Sequence, residues 1–94
     1  MTREEIRAAV VAAIVAVVPG TVASDISDEA PIRDQLDMDS MDFINFVVEL
    51  DERLGVAVPE GEYGRLASVN SCIEYLAGAL AGGPAPVGPG PAGS

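Results

Sequence analysis

Apolar residues recur every three or four positions in three stretches of the chain, and each stretch predicts an amphipathic helix. In the first, Ile6, Val10, Ile14 and Val17 form one stripe, with Ala13 filling it. Thr2 and Glu5 have capping-box spacing: the hydroxyl can accept from a free N–H of the first turn while the carboxylate reaches back. Pro19-Gly20 stops this helix. The second stretch predicts a helix from Ser40 to Leu54, ended by Gly55. At roughly 100° per residue, Phe43, Ile44, Phe46, Val47, Leu50 and Leu54 share a buried arc. Asp42, Asn45, Glu49, Glu52 and Arg53 share the polar one, and Met41 and Val48 fall on the border. The third helix starts with Ser68 as its cap and carries Val69, Cys72, Ile73, Leu76 and Leu80 in one stripe.

The segments between are less regular. Residues 20 to 39 make a long acidic connection, and a loop of that length in a compact domain needs anchors. Ile26, Ile32 and Leu36 are the residues able to pin it to the core, with a short turn near Pro31. Val56-Ala57-Val58-Pro59 reads as an extended link, and "EGEYGRL" as at most a short helix, weakened by Gly61 and Gly64. Beyond Ala81, "GGPAPVGPGPAGS" has five glycines and four prolines and reads as a flexible tail. The expected architecture is all-α: a small antiparallel bundle of three main helices plus one short helix. Residues 1–81 form the domain and 82–94 the tail.

Composition narrows what such a bundle can do. The 94 residues, 49% of them hydrophobic, suffice for one small core. The sequence holds no histidine, lysine or tryptophan; its five basic residues are Arg3, Arg7, Arg33, Arg53 and Arg65. A serine or cysteine nucleophile needs a base whose pKa lies near the working pH, and only carboxylates and the chain terminus could serve. An independent hydrolase is therefore not expected. The net charge of −10 opposes nucleic acid as a partner. Residues 25 to 62 hold twelve of the fifteen acids against only Arg33 and Arg53. That concentration suits either basic protein partners or plain solubility.

Other candidate chemistries fail on spacing. Counted from Asp25, a calcium loop would need glycine at Ala30 and a bidentate glutamate at Leu36. Cys72 is the single cysteine, which precludes an internal disulfide and suits a reducing compartment. Its place in an apolar stripe, with no basic neighbour, gives a buried hydrophobe rather than a reactive thiol. The apolar run from Ala8 to Val18 is far short of the roughly 20 residues that span a bilayer, and Glu4 and Glu5 cancel the flanking arginines. No membrane association is expected.

One hydroxyl remains to be explained. In "LDMDSMDFINF", Ser40 stands where the second apolar run begins, either as the helix cap or as a group held out for modification. Met41 and Val48 beside the acidic strip have the composition of a partner-binding edge, although a helix with a wide core face would look the same.

The stretch "LDMDSMDFINFVVELDERLGVAVPE", followed by "LASVNSCIEYL", resembles the acyl carrier proteins of fatty acid and polyketide synthesis. The resemblance runs from about Ile6 to Leu76. It rests on Asp39-Ser40-Met41 in place of an Asp-Ser-Leu motif, the apolar and acidic second helix, the Gly55-to-Pro59 ending, and the gap before the last stripe. Asp37 stands where many fatty-acid carriers have glycine, and Asn45 where an acid is common. Peptidyl carriers of non-ribosomal synthesis are less similar.

The resemblance implies a function. Ser40, flanked by Asp39 and Met41, would carry a phosphopantetheine arm from coenzyme A, whose thiol holds acyl or aminoacyl groups as thioesters. A carrier needs no base, because a separate phosphopantetheinyl transferase activates the serine. Further implied partners are an acyl- or aminoacyl-loading ligase and synthase or acyltransferase enzymes of fatty acid, polyketide or specialised biosynthesis. These would dock on Met41, Asp42, Asn45, Val48, Glu49 and Glu52. Asp39 and Asp42 oppose the charge of the arm, which assigns them to recognition by basic enzymes. The chain is expected to be a cytoplasmic monomer without catalytic activity. The alternative is an unmodified acidic helical module that only docks to basic proteins.

Overall fold

The three long helices form where the apolar periodicity places them. A computed structural model describes residues 1–82. Helix α1 spans Arg3–Val17, the one-turn α2 Ile32–Gln35, α3 Ser40–Leu54 and α4 Val69–Gly82. A 3₁₀ turn at Ala23–Asp25 and a 3₁₀ helix at Glu60–Leu66 complete the described elements, none of which is a strand. The expected tail, from residue 83 onward, lies outside the described residues; Gly82 belongs to α4.

Local chemistry fixes each end. The Glu5 N–H donates to Thr2 Oγ1 at 3.1 Å and the Thr2 N–H donates to Glu5 Oε1 at 2.8 Å, closing the capping box of α1. At the far end of α3, Gly55 takes a left-handed φ of 70°, which a residue without Cβ adopts readily, and its N–H donates to the Asp51 carbonyl. Ser68 caps α4, accepting from the Ser71 N–H at 3.1 Å.

α1 packs against both α3 and α4, and the 3₁₀ helix packs against α4. The core between them includes Ile6, Val10, Ile14, Phe46, Leu50, Leu66, Val69, Cys72 and Leu76. The long connection is tied down as the sequence requires: Ile26 and Ile32 are buried, Leu36 packs against the core, and α2 begins directly after Pro31. The Ile32 N–H also donates to the Ala67 carbonyl at 2.8 Å, joining this connection to the approach of α4. Arg7 adds a two-pronged tether to it, with Nε on Asp28 Oδ2 at 2.9 Å and Nη2 on Oδ1 at 2.7 Å. Those hydrogen bonds hold the Asp28 carboxyl below its ordinary range. The tether therefore contributes fully above the unfolded carboxylate value, about pH 3.9, and is lost as pH falls through the lowered folded value. Both side chains are partly exposed, so the pair is worth at most about 1 kcal/mol.

Two positions depart from the expected stripes. Ile44 is 45% exposed rather than buried. The residues α3 does bury, Phe43, Phe46, Val47 and Leu50, span a narrower arc, and Ile44 lies about 60° beyond its Val47 edge on the helical wheel. Leu80 is 37% exposed, because it lies on the last turn of α4, past Leu76 and Ala77, the last α4 residues that meet the core.

Leu50 has no exposed surface. Leu50→Ala is expected to cost about 2 to 5 kcal/mol, read as a lower urea midpoint with an unchanged slope.

Candidate functional site

The start of α3 gathers four sequence-predicted residues, Asp39, Ser40, Met41 and Asp42. The helix cap is Asp39, not the serine. The Asp42 N–H donates to Asp39 Oδ1 at 2.8 Å, and the Asp39 N–H reaches Asp42 Oδ2 at 3.4 Å. Ser40 is thus the first helical residue, with an exposed side chain outside the capping box. Its hydroxyl accepts one hydrogen bond from a side chain the sequence reading had not singled out, Arg33, whose Nη2 lies 3.3 Å away. The available signal was that Arg33 is one of only two bases among residues 25 to 62.

The reciprocal cap gives the two acids a second role. Asp39 and Asp42 stabilise the helix start, which is a structural task whatever recognition they add. Just before them, Asp37 has a φ of 52°, the left-handed region where glycine is otherwise favoured. Aspartate is among the few other residues that enter this region at modest cost.

Arg33 also lines a cavity of about 250 Å³ together with Phe43, Tyr63, Gly64 and Ala67. The rings of Phe43 and Tyr63 meet edge to face with centroids 5.6 Å apart. On the outer side of α3, Met41, Ile44 and Val48 are 63%, 45% and 48% exposed and form an apolar stripe at helical spacing. Asn45 and Glu52 are exposed beside it; Asp42 and Glu49 are half-buried. Glu49 accepts from Arg53 Nε at 3.1 Å, so part of its charge is already compensated.

The matches to known proteins agree on one family. A family profile described as "Phosphopantetheine attachment site" matches residues 9–76. The acyl carrier protein of Acidothermus cellulolyticus is 34% identical over 79 residues, covering 84% of this chain and 93% of the relative. The chain belongs to the acyl carrier protein family. The acyl carrier protein of Rubrobacter xylanophilus is 32% identical, covering 61% of this chain and 70% of its own length. The meromycolate extension acyl carrier protein of Mycobacterium tuberculosis is also 32% identical, covering 81% of this chain and 65% of its own.

Membership in this family implies a covalently attached phosphopantetheine. Family members are carriers, generally without catalysis of their own, and work with phosphopantetheinyl transferases and with synthase or acyltransferase enzymes. The residues at the start of α3 fit such a group. The Ser40 hydroxyl is exposed and free of the cap, a guanidinium stands beside it, and the helix start offers unpaired N–H groups to a phosphodiester. The thiol of Cys72 is a different matter: it is buried, pushed up to about 12 by that burial, and directed to the Leu66 carbonyl at 3.6 Å. It is a core residue, as its stripe predicted. Among the described residues no helix is long and apolar enough to cross a membrane, and no cluster of acids and cysteine has the form of a metal site.

The division of labour at the helix start sets the next expectation. Asp39→Ala should cost about 0.5 to 2 kcal/mol, whereas Ser40→Ala should stay within about 0.5 kcal/mol, both read from urea unfolding of the unmodified chain.

Proposed function

We propose that Ser40 carries the phosphopantetheine arm and that the chain delivers acyl groups, as thioesters, to enzymes of fatty acid, polyketide or specialised biosynthesis in the cytoplasm. One observation carries the assignment of the residue: Ser40 sits at the first position of α3 with its hydroxyl exposed, because Asp39 has taken the cap. A separate transferase forms the bond between Ser40 Oγ and phosphorus. The phosphoanhydride bond of coenzyme A breaks, the nucleotide leaves, and the hydroxyl proton goes to the transferase or to water. The carrier contributes the exposed hydroxyl and its presentation, and needs no base. All the relatives named above are acyl carriers, which supports acyl over aminoacyl cargo. The name of the mycobacterial relative, which specifies meromycolate extension, supports acyl-chain extension as one such pathway.

Partners dock, in this reading, on the outer side of α3. The stripe of Met41, Ile44 and Val48 supplies apolar contact, and Glu52 with Asn45 borders it. Glu49 and Asp42 contribute less than a sequence count suggests, since one is paired with Arg53 and the other closes the cap.

Incubation with coenzyme A and a broad-specificity transferase should add one arm to the wild type, read by intact mass, and none to Ser40→Ala. A full gain in that variant, on Ser24, Ser27, Ser68 or Ser71, would overturn the assignment; no gain in the wild type would favour the unmodified docking module. In the same assay Val48→Asp should lower transferase kcat/KM about tenfold or more at every salt concentration, because it sets a charge in a desolvated contact. Glu52→Lys should slow transfer at low salt and less at high salt, and Glu49→Lys should have the smaller effect of the two. Equal rates for all three and the wild type would remove α3 as the docking surface.

A further inference from the structure

The cation beside Ser40 makes three contacts, none of them with a carboxylate among the described residues. Arg33 Nη2 donates to Ser40 Oγ at 3.3 Å, Nε donates to the Met38 carbonyl at 3.4 Å, and the guanidinium carbon lies 5.6 Å from the centroid of the Phe43 ring. Together these place the charge between the serine and the Phe43 ring, which with Tyr63 lines the cavity that Arg33 also borders. Arg7, Arg53 and Arg65 each pair with a carboxylate. Among the described residues Arg3 and Arg33 pair with none, and Arg33 does so although Asp34, Asp37, Asp39 and Asp42 are its near neighbours in sequence. A cation kept out of ion pairs in the most acidic part of the chain, and aimed at one hydroxyl, is arranged for an anion that the hydroxyl will bear.

We propose that Arg33 is a positioning residue for the arm: once Ser40 is modified, its guanidinium pairs with the phosphodiester on the cavity side of α3. This inference rests on Ser40 being the attachment residue. The pairing offsets the repulsion that Asp37, Asp39 and Asp42 exert on the added negative charge. Arginine suits the task, since its fork can keep the Met38 carbonyl with Nε while the terminal nitrogens turn to phosphate oxygens.

The test compares melting temperatures of the unmodified and modified forms of the wild type, Arg33→Gln and Arg33→Lys. Taking the difference between the two forms of each protein cancels any purely structural cost of the substitution. At about 0.01 M salt, modification should lower the melting temperature of Arg33→Gln by about 1 to 6 °C more than it lowers that of the wild type. Arg33→Lys should recover at least half of that gap, because it restores the charge. At about 1 M salt, where screening acts within about 3 Å, the gap should close. Modified wild type and modified Arg33→Gln that differ from their unmodified forms by the same amount would overturn the pairing alone. So would a gap that lysine leaves unchanged, since the effect would then belong to the packing on Phe43. A wild type that takes up no arm would overturn the assignment of Ser40 itself, and with it this inference.

Discussion

The reciprocal pair of hydrogen bonds between Asp39 and Asp42 governs what the start of α3 can offer. A helix that begins in an exposed place leaves N–H groups without partners, and some side chain must satisfy them. Were Ser40 that side chain, its oxygen would be committed to the backbone and turned inward. Because Asp39 accepts from Asp42 at 2.8 Å, the serine sits one position later, inside the helix, with its hydroxyl turned out. The helix then has two independent properties: it is capped, and its first residue is free to react. The same carboxylates that secure the cap create a local excess of negative charge, and Arg33 is the cation that stands against it at the serine.

Position is maintained by packing remote from the chemistry. Phe46 and Leu50 anchor α3 against α1 without any exposed surface, so the outer face of the helix is fixed relative to the bundle. The long connection that brings the chain to Asp39 is held at Ile26 and Ile32, at the Arg7–Asp28 tether, and by the hydrogen bond from Ile32 to Ala67. Asp37, at a φ of 52°, turns the chain into the cap. Members of this family work with several enzymes; in the proposed reading, one hydroxyl beside one apolar stripe on a packed helix is the surface each of them would find.

The sequence carried the helices well because their boundaries are set locally. Thr2 with Glu5, Gly55, and Ser68 each act within a turn of themselves, and the apolar repeat spans each helix end to end. What depended on the neighbours was less legible. A helical wheel cannot tell how wide a face α1 will cover, so Ile44 read as core, yet it belongs with Met41 and Val48 on the surface. The serine was ambiguous for a related reason: Asp39 and Ser40 are both good caps, and only the backbone at Asp39, extended at φ −85° and ψ −178°, decides between them. Arg33 carried only a faint signal, its rarity as a base in an acidic stretch, since its distance to Ser40 depends on the path of the chain through α2 and the left-handed Asp37. The acids at Asp42 and Glu49 looked equivalent to Glu52 in sequence, and differ only through the partners the fold gives them.

The separation of cap from reactive hydroxyl is tested most directly by amide spectra of the ¹⁵N-labelled chain before and after the transferase has acted. The account predicts that the largest shifts fall at Ser40 and its immediate neighbours, that the core amides of α3 hardly move, and that the Asp42 amide remains as protected from hydrogen exchange as before. A Ser40 resonance left unchanged by a reaction that adds the arm, or an Asp42 amide that loses its protection when the arm arrives, would contradict it.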